Sequence, residues 1–122
     1  MPNMQPELYA NGTKPEKLPS VQVATKADAG KLAVELLPFR ALLSVGSVLE
    51  FGASKYGEHN WRRGLAWSRL LGAALRHLMA WGAGEKLDPE SGLPHLAHAA
   101  ASVLFLLELE IDGIGPDDRW GK

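Results

Sequence analysis

Apolar side chains recur at helical spacing in three segments of this chain. The first segment follows Pro38, a residue suited to the first turn of a helix, and ends near residue 53. The second covers about residues 67–83, and glycines and a proline follow it. The third covers about residues 91–111, with Ser91 as a candidate cap. The pattern therefore predicts three α-helices joined by polar loops.

The third helical segment is apolar nearly all round between residues 97 and 107. Such a helix should be buried on most of its sides. Three helices of this length make a thin core for one subunit, because a small chain buries a small share of its surface. We therefore predict an all-α fold, a helical bundle of three main helices per subunit, completed by oligomerisation as a dimer or tetramer.

The ends of the chain lack helical periodicity. Residues 1–27 contain four prolines and read as an extended N-terminal arm, and residues 28–112 form the predicted helical domain. Residues 113–122 contain three glycines and a proline and are predicted to be irregular, with Trp120 holding them down.

Composition narrows the possible partners. The 122 residues suit one domain, and a net charge of −1 offers no basic field for DNA or RNA. No apolar run is long enough to span a bilayer, so no membrane partner is expected. The absence of cysteine excludes thiolate metal sites and a cysteine nucleophile, and it is consistent with a cytoplasmic protein.

Residues 76–98 hold three of the four histidines, set between two apolar helical segments. Glu85 and Asp88 also lie here, spaced so that both carboxylates can grip Mg²⁺ or Mn²⁺, which prefer oxygen ligands. The alternative is a solvated acidic loop in which Asp88 precedes a turn at Pro89. Arg76 and His77 interrupt an apolar helix, where an arginine must meet an acid or a phosphate.

His95 and His98 are three residues apart and share one face of the third helix. They could bind a metal, orient the acids that do, or bond a buried acid across the bundle. Glu50 interrupts the apolar pattern of the first helix and could face the same site, or lie at the surface near a helix end. We expect the acids and imidazoles to share one cavity that holds a cation-bridged triphosphate.

The loop over residues 54–66 combines rings, cations and an amide. Tyr56 and Trp61 could stack on a base, and Asn60 could read its edge. Lys55 and Arg63 could meet phosphates. Alternatively, the rings close the end of the bundle and the cations are solvated.

Four spaced strings carry a resemblance to a known family. They read Lys26-x-Asp28-x-Gly30-Lys31-x-x-x-Glu35-Leu36-Leu37-Pro38, Gly52-Ala53-x-Lys55-Tyr56-Gly57-x-x-Asn60-Trp61-Arg62-x-Gly64, Ala73-x-Leu75-Arg76-His77-Leu78 and Gly84-Glu85-x-x-Asp88-Pro89-Glu90-Ser91-Gly92-Leu93-x-His95-Leu96-Ala97-His98-Ala99. Over about residues 26–110 the chain resembles the phage and bacterial dATP/dGTP diphosphohydrolase (N-terminal domain) family.

The resemblance implies a relative of the all-α nucleotide pyrophosphohydrolases, which are usually oligomeric and magnesium-dependent. That superfamily holds its metals with a Glu-x-x-Glu pair and a Glu-x-x-Asp pair. Glu85-x-x-Asp88 matches the second pair, and the chain contains no Glu-x-x-Glu. Either Glu50, Glu35 and the histidines replace the missing pair, or the match is coincidental.

Residues and resemblance together yield three groups of expected site residues. The expected metal ligands, for Mg²⁺ or Mn²⁺, are Glu50, Glu85, Asp88 and His95. The expected catalytic residues are His77, Glu85, Asp88 and His98. The expected substrate-binding residues are Lys31, Lys55, Tyr56, Asn60, Trp61, Arg63 and Arg76.

The function implied is metal-dependent hydrolysis of dATP or dGTP to the monophosphate and pyrophosphate, in the host cytoplasm if a phage encodes the chain. One alternative is a metal phosphohydrolase that releases phosphate or triphosphate. Another is a non-catalytic helical module that binds a nucleotide or a partner.

Overall fold

Three α-helices carry the architecture of this protein. Helix α1 spans Phe39–Tyr56, α2 spans Trp67–Gly82 and α3 spans His95–Asp112. Short 3-10 helices precede α1 at Val34–Leu36 and link α1 to α2 at Asn60–Arg63. The predicted bounds of α1 and α2 agree with these to within three residues, since Pro38 and the glycines after each helix mark the ends.

The structure is a computed structural model that describes residues 23–122, and the chain divides into two units, Met1–Ala33 and Val34–Lys122. In the first unit, the described residues form no helix, and a turn is closed where the backbone N–H of Lys31 donates to the carbonyl of Asp28 at 3.0 Å. Most of the predicted arm over residues 1–27 lies outside the described residues.

The described part of the chain is all-α, as predicted. It contains no strand, and its β-type pairing is limited to an isolated bridge between Leu87 and Pro94. Helix α3 packs mainly against α2 and to a lesser extent against α1. Val45 and Val48 of α1 meet Ala97 and Ala101 of α3 in a small buried core.

Helix α3 is less buried in this single chain than its composition predicts. Its fully buried apolar residues are mostly small, because alanines let the neighbouring helices approach closely. They are Ala97, Ala99, Ala101 and Leu109. Its larger apolar side chains are instead exposed, namely Leu96, Val103, Leu104, Leu107 and Ile111. The expectation that α3 is buried on most sides is therefore wrong for the chain by itself.

Helix α3 also starts later than predicted, at His95 rather than near residue 91. Pro94 is the N-cap, in an extended conformation, and Gly92 has a left-handed φ of 72°. Ser91 does not cap the helix, since its Oγ accepts the N–H of Leu93 within the loop. The preceding residues are held as a loop because the N–H of His95 donates to the carbonyl of Lys86 at 2.9 Å.

Residues after α3 are irregular and bond to the beginning of α2. Nε1 of Trp67 donates to the carbonyl of Ile114 at 3.0 Å, and the backbone N–H of Ser68 donates to Oδ1 of Asp118 at 2.9 Å. Asp118 thereby accepts one of the free N–H groups at the start of α2, whose own N-cap, Ala66, has no side chain able to do so. Trp120 is 99% exposed, so the expectation that it holds the tail is wrong.

Among the residues that the structure describes, none of the helices is both long enough and apolar enough to cross a membrane.

Candidate functional site

The loop between α2 and α3 brings two carboxylates back over the helix ends. It is a tight turn in which the N–H of Asp88 donates to the carbonyl of Leu93 at 2.8 Å and Gly92 N–H donates to the carbonyl of Asp88 at 2.7 Å. Because the loop folds back, Glu85 and Asp88 both reach the first turns of α3. The acids and imidazoles of residues 77–98 therefore meet in one place, which we call the histidine cluster: His77, Glu85, Asp88, Ser91, His95 and His98.

His95 is the buried centre of the histidine cluster, with its side chain 4% exposed. Its Nε2–H donates to Oε1 of the Glu85 carboxylate at 2.6 Å, and its Nδ1 lies 2.8 Å from Nδ1 of His77. In a neutral imidazole one nitrogen donates and the other accepts. One of the two Nδ1 atoms carries the proton of this hydrogen bond and the other accepts it.

Asp88 is held by its own loop. Its Oδ2 accepts the backbone N–H of Ser91 at 2.8 Å and lies 3.8 Å from Nε2 of His98. Partial burial acts to raise the pKa of Asp88, but hydrogen bonds from Ser91 and the charges of His98 and His77 outweigh it, so the pKa lies below its usual value. The group is therefore an anion at neutral pH.

His77 and His98 stack in parallel, with ring centroids 4.5 Å apart and planes within 9°. Nε2 of His98 also lies 2.7 Å from Oγ of Ser91. Burial, followed by the charge of neighbouring histidines, lowers the pKa of His77; burial also lowers that of His98, against the opposing effect of Asp88. Both rings are therefore neutral at pH 7, with a lone pair available to bind a proton or a cation.

Three members of the histidine cluster have the arrangement of metal ligands. One donor atom each from His77, Asp88 and His95 lie within 4.8 Å of one another. Asp88 and His95 are among the expected metal ligands, whereas His77 is among the expected catalytic residues. The sequence signal for His77 was its position in an otherwise apolar helix, where an imidazole requires a polar partner.

Apart from the histidine cluster, a cleft opens between α1, the 54–66 loop and α2. This cleft has a volume of about 950 Å³, within the range of small-molecule sites. Four of the expected substrate-binding residues and one expected metal ligand line it: Tyr56, Asn60, Trp61, Arg76 and Glu50. Charged or aromatic residues that the sequence reasoning did not select also line it: Glu58, His59, Arg69 and Phe105. Arg69 lies two residues into α2, and its spacing from Arg76, seven positions on, is a signal for a shared helix face.

Trp61 already stacks on a protein ring. Its centroid lies 4.3 Å from that of Phe105 with the planes within 13°, and the guanidinium of Arg62 lies 4.4 Å from the Trp61 ring. Tyr56, which is 64% exposed, has more free ring surface for a ligand. Trp61 therefore packs against the protein, whereas the ring of Tyr56 lines the cleft.

Two of the other expected substrate-binding cations, Lys55 and Arg63, are not among the residues that line the cleft. Nζ of Lys55 lies 2.8 Å from Oε2 of Glu90, and this hydrogen bond raises the pKa of Lys55. Arg63 is exposed in the 3-10 helix Asn60–Arg63. Lys31 belongs to the unit Met1–Ala33 and is described there by its turn alone.

Helix α2 contributes residues to both the cleft and the histidine cluster. Arg76 lines the cleft and the next residue, His77, belongs to the histidine cluster, because consecutive helical residues point about 100° apart. Of the residues that the structure describes, those lining the cleft include no member of the histidine cluster. The predicted groups are thus brought together in two sets, and Glu50 lies with the cleft rather than with Asp88 and His95.

The fold, the histidine cluster and the cleft define an all-helical protein with a potential metal-binding centre beside a ligand-sized cleft. Residues 22–119 match the family described as dATP/dGTP diphosphohydrolase, N-terminal, and the chain belongs to this family. It is also similar to a protein of Salmonella phage PMBT28 named dATP/dGTP diphosphohydrolase, with 39% identity over 94 residues. That alignment covers 77% of this chain and 32% of the relative, so the chain spans about a third of the relative's length. No solved structure matches the chain.

Proposed function

We propose that this chain takes part in the hydrolysis of dATP or dGTP to the monophosphate and pyrophosphate. Its family and the name of its phage relative support this reaction. The observation that carries the proposal is the direct meeting of His77, His95 and Asp88, three groups able to handle protons and cations. The activity would belong to the cytoplasm, that of the host if a phage encodes the chain.

The substrate in this proposal is the Mg²⁺ or Mn²⁺ complex of the nucleotide. Mg²⁺ binds through one or two carboxylates, waters and substrate phosphates. The histidine cluster does not fit that demand, because two of the three converging donors are imidazoles. The cleft fits it better, since Glu50 and Glu58 offer carboxylates beside two arginines. Glu50 thus remains a proposed metal ligand, for the ion that enters with the triphosphate.

The cleft would bind the nucleotide by shape and charge. Arg69 and Arg76 present guanidinium groups on one face of α2, and these suit phosphate oxygens. Asn60 can donate to and accept from a base edge, while Tyr56 offers a flat ring at the rim. The cation carried by the triphosphate neutralises charge that develops on the phosphoryl oxygens.

The histidine cluster would supply the proton acceptor. Water attacks the α phosphorus, a new P–O bond forms, and the bond to the β-phosphate oxygen breaks with pyrophosphate leaving. The proton from water passes to a neutral imidazole of His77 or His98, both of which have lowered pKa values. This role requires the phosphates to extend from Arg76 toward His77, its neighbour on α2.

A second candidate is a nucleotide-binding module that does not catalyse hydrolysis. The observation that favours it is the separation of the histidine cluster from the cleft, with the cluster's polar groups satisfying one another. Because this chain spans about a third of its relative, the remaining chain of such a protein could carry the chemistry.

We also propose that the chain associates with a second copy of itself. Leu71 and Trp67 of α2 and Val103 and Leu107 of α3 line an apolar groove of about 360 Å³. Glu110 and Arg119 flank this groove, so a two-fold related copy would pair opposite charges across it. Leu107→Glu should lower the mass measured by light scattering, whereas Leu43→Glu, on the exposed side of α1, should leave it unchanged. A monomeric wild-type protein would refute the proposal.

The reaction is tested by incubating the chain with each deoxynucleoside triphosphate and Mg²⁺ or Mn²⁺ and identifying the phosphorus-containing products. Pyrophosphate with the monophosphate supports the proposal. Phosphate or triphosphate would instead show a different metal phosphohydrolase. Binding without turnover would favour the non-catalytic module. Asp88→Asn tests the role of the cluster carboxylate in turnover, and Asp112→Asn is its control.

A further inference from the structure

We infer that His77, Asp88 and His95 form a site for a transition-metal ion of the zinc, iron, cobalt or nickel group, and that this site discriminates against Mg²⁺. The inference concerns the same cluster that the proposed function uses, and with an ion bound to His77 the proton acceptor of that reaction is His98. Its test needs no nucleotide, so the two proposals can fail separately.

The spacing of the imidazole nitrogens is the first argument. The two Nδ1 atoms lie 2.8 Å apart, and one donor atom from each of the three residues lies within 4.8 Å of the others. Two nitrogens bound to one tetrahedral ion at about 2.0–2.1 Å stand about 3.3 Å apart. An ion would therefore take the place of the proton between His77 and His95 if the two nitrogens separated by about 0.5 Å and both rings turned their lone pairs toward it.

The orientation of His95 is the second argument. Its Nε2–H donates to Glu85 at 2.6 Å, which directs the lone pair of Nδ1 toward His77. Metal-binding histidines commonly donate their other ring nitrogen to a carboxylate in this way, which fixes the ring and strengthens the ligand. Glu85 is thus a positioning residue for His95 rather than a ligand of the ion.

The donor set is the third argument, and it decides the class of ion. Imidazole nitrogens suit zinc, iron, cobalt and nickel, whereas Mg²⁺ demands an octahedron of oxygen atoms. Two imidazoles and one carboxylate leave coordination positions open for water or another ligand. The carboxylate of Asp88 is fixed by the N–H of Ser91 at 2.8 Å and has an oxygen within 4.8 Å of the histidine donor atoms, so it is the third ligand of the site.

The experiment is a titration of the untagged, chelator-treated chain with Co²⁺, followed by visible absorption and by calorimetry. We expect one Co²⁺ per chain, visible bands characteristic of nitrogen ligation, and no displacement by a hundredfold excess of Mg²⁺. Zn²⁺ should displace the Co²⁺. Failure of the wild-type chain to bind Co²⁺, or displacement of Co²⁺ by Mg²⁺ at similar concentrations, would overturn the inference.

Variants distinguish the residues that bind the ion from the residue that positions a ligand. His77→Gln and Asp88→Asn should abolish the visible bands, and both residues are only half-buried, so folding can be checked by circular dichroism. Glu85→Gln should weaken binding by about 10–100-fold while keeping the bands. The matched control is His59→Asn, which removes the one histidine outside the cluster and should bind Co²⁺ as the wild type does. Unchanged binding by both His77→Gln and Asp88→Asn would refute the assignment.

Discussion

The histidine cluster and the cleft differ in how their polar groups are satisfied. In the cluster, acids and imidazoles bond to one another, and the side chains of His95, His98 and Asp88 are 4%, 12% and 16% exposed. In the cleft, Arg76 and Tyr56 face an open volume of about 950 Å³. A group with protein partners resists displacement, whereas a group facing an open hollow is available to a ligand.

In the reaction proposed above, this difference would divide chemistry and substrate recognition between neighbouring faces of α2. The cluster has the fixed geometry that chemistry or a bound ion requires. The cleft has the space and the mixed apolar and charged lining that recognition requires. Substitutions in the cluster should therefore affect turnover and ion binding, while those in the cleft should affect substrate affinity.

The largest effect should come from Asp88→Asn. The substitution removes the negative charge but keeps an oxygen that can accept the N–H of Ser91, so the loop should keep its shape. We expect kcat for deoxynucleoside triphosphate hydrolysis to fall by at least about a hundredfold, measured by pyrophosphate release.

Asp112→Asn is the control for that substitution, since it removes an exposed carboxylate at the other end of α3. Circular dichroism should show both variants folded. Turnover by Asp88→Asn within a few-fold of the wild type would contradict the role of the cluster in chemistry.

A smaller effect, on affinity, should follow Arg76→Ala. Losing one charge-assisted hydrogen bond to a phosphate should raise KM about tenfold, with kcat changed less than KM. Steady-state kinetics with dATP and dGTP measures both parameters. Arg40→Ala, an exposed arginine in the first turn of α1, is the control. A fall in kcat with KM unchanged would show that the cleft and the cluster do not divide the work in this way.

Removing a ring that stacks on the base should have a still smaller effect on KM. The effect on stability should differ between Tyr56 and Trp61. Tyr56→Leu should raise KM a few-fold without lowering stability, because its ring is mostly exposed. Trp61→Ala should also lower the melting temperature, because it removes the ring that stacks on Phe105. Thermal melts beside kinetics separate the two effects, and an unchanged KM in both variants would exclude stacking of a base on either ring.

The cluster should also make stability depend on pH. The pKa values of His77 and His98 lie below the usual 6.5, so in this range the unfolded chain binds protons that the folded chain does not. Their contribution to the free energy of unfolding is complete above pH 6.5 and is lost as the pH falls below that value. Urea unfolding of the metal-free chain at pH 7.5 and 5.5 should show a lower midpoint at pH 5.5. His77→Gln should reduce this difference, and an equal difference in that variant would contradict the explanation.

Sequence patterns predicted the start of a helix correctly where the signal lies in the residues at that start. Pro38 and Trp67 mark the starts of α1 and α2 as predicted. The start of α3 was predicted several residues early, because Ser91 looks like a cap by residue type. Its hydroxyl oxygen instead accepts the N–H of Leu93 and lies 2.7 Å from Nε2 of His98. Both contacts depend on how the chain folds back.

The histidines and acids crowded into residues 76–98 predicted most of the histidine cluster, because their spacing is a local property of the chain. His95 and His98 share a helix face by spacing alone, and Glu85 and Asp88 are close in sequence. The role of Glu85 as a partner of His95, the stacking of His77 on His98, and the participation of Arg69 and Phe105 in the cleft required three-dimensional contacts.

The sequence by itself determined the all-α class, the approximate helices and the family, because apolar periodicity, helix-ending residues and spaced motifs are properties of the chain. Only the tertiary structure decided that Glu50 belongs with Arg76 in the cleft while His77 joins Asp88 and His95. Periodicity fixes which face of a helix a residue occupies. Which elements meet at that face depends on helix packing and on the path of the loop between α2 and α3, and these are set by contacts between residues distant in sequence.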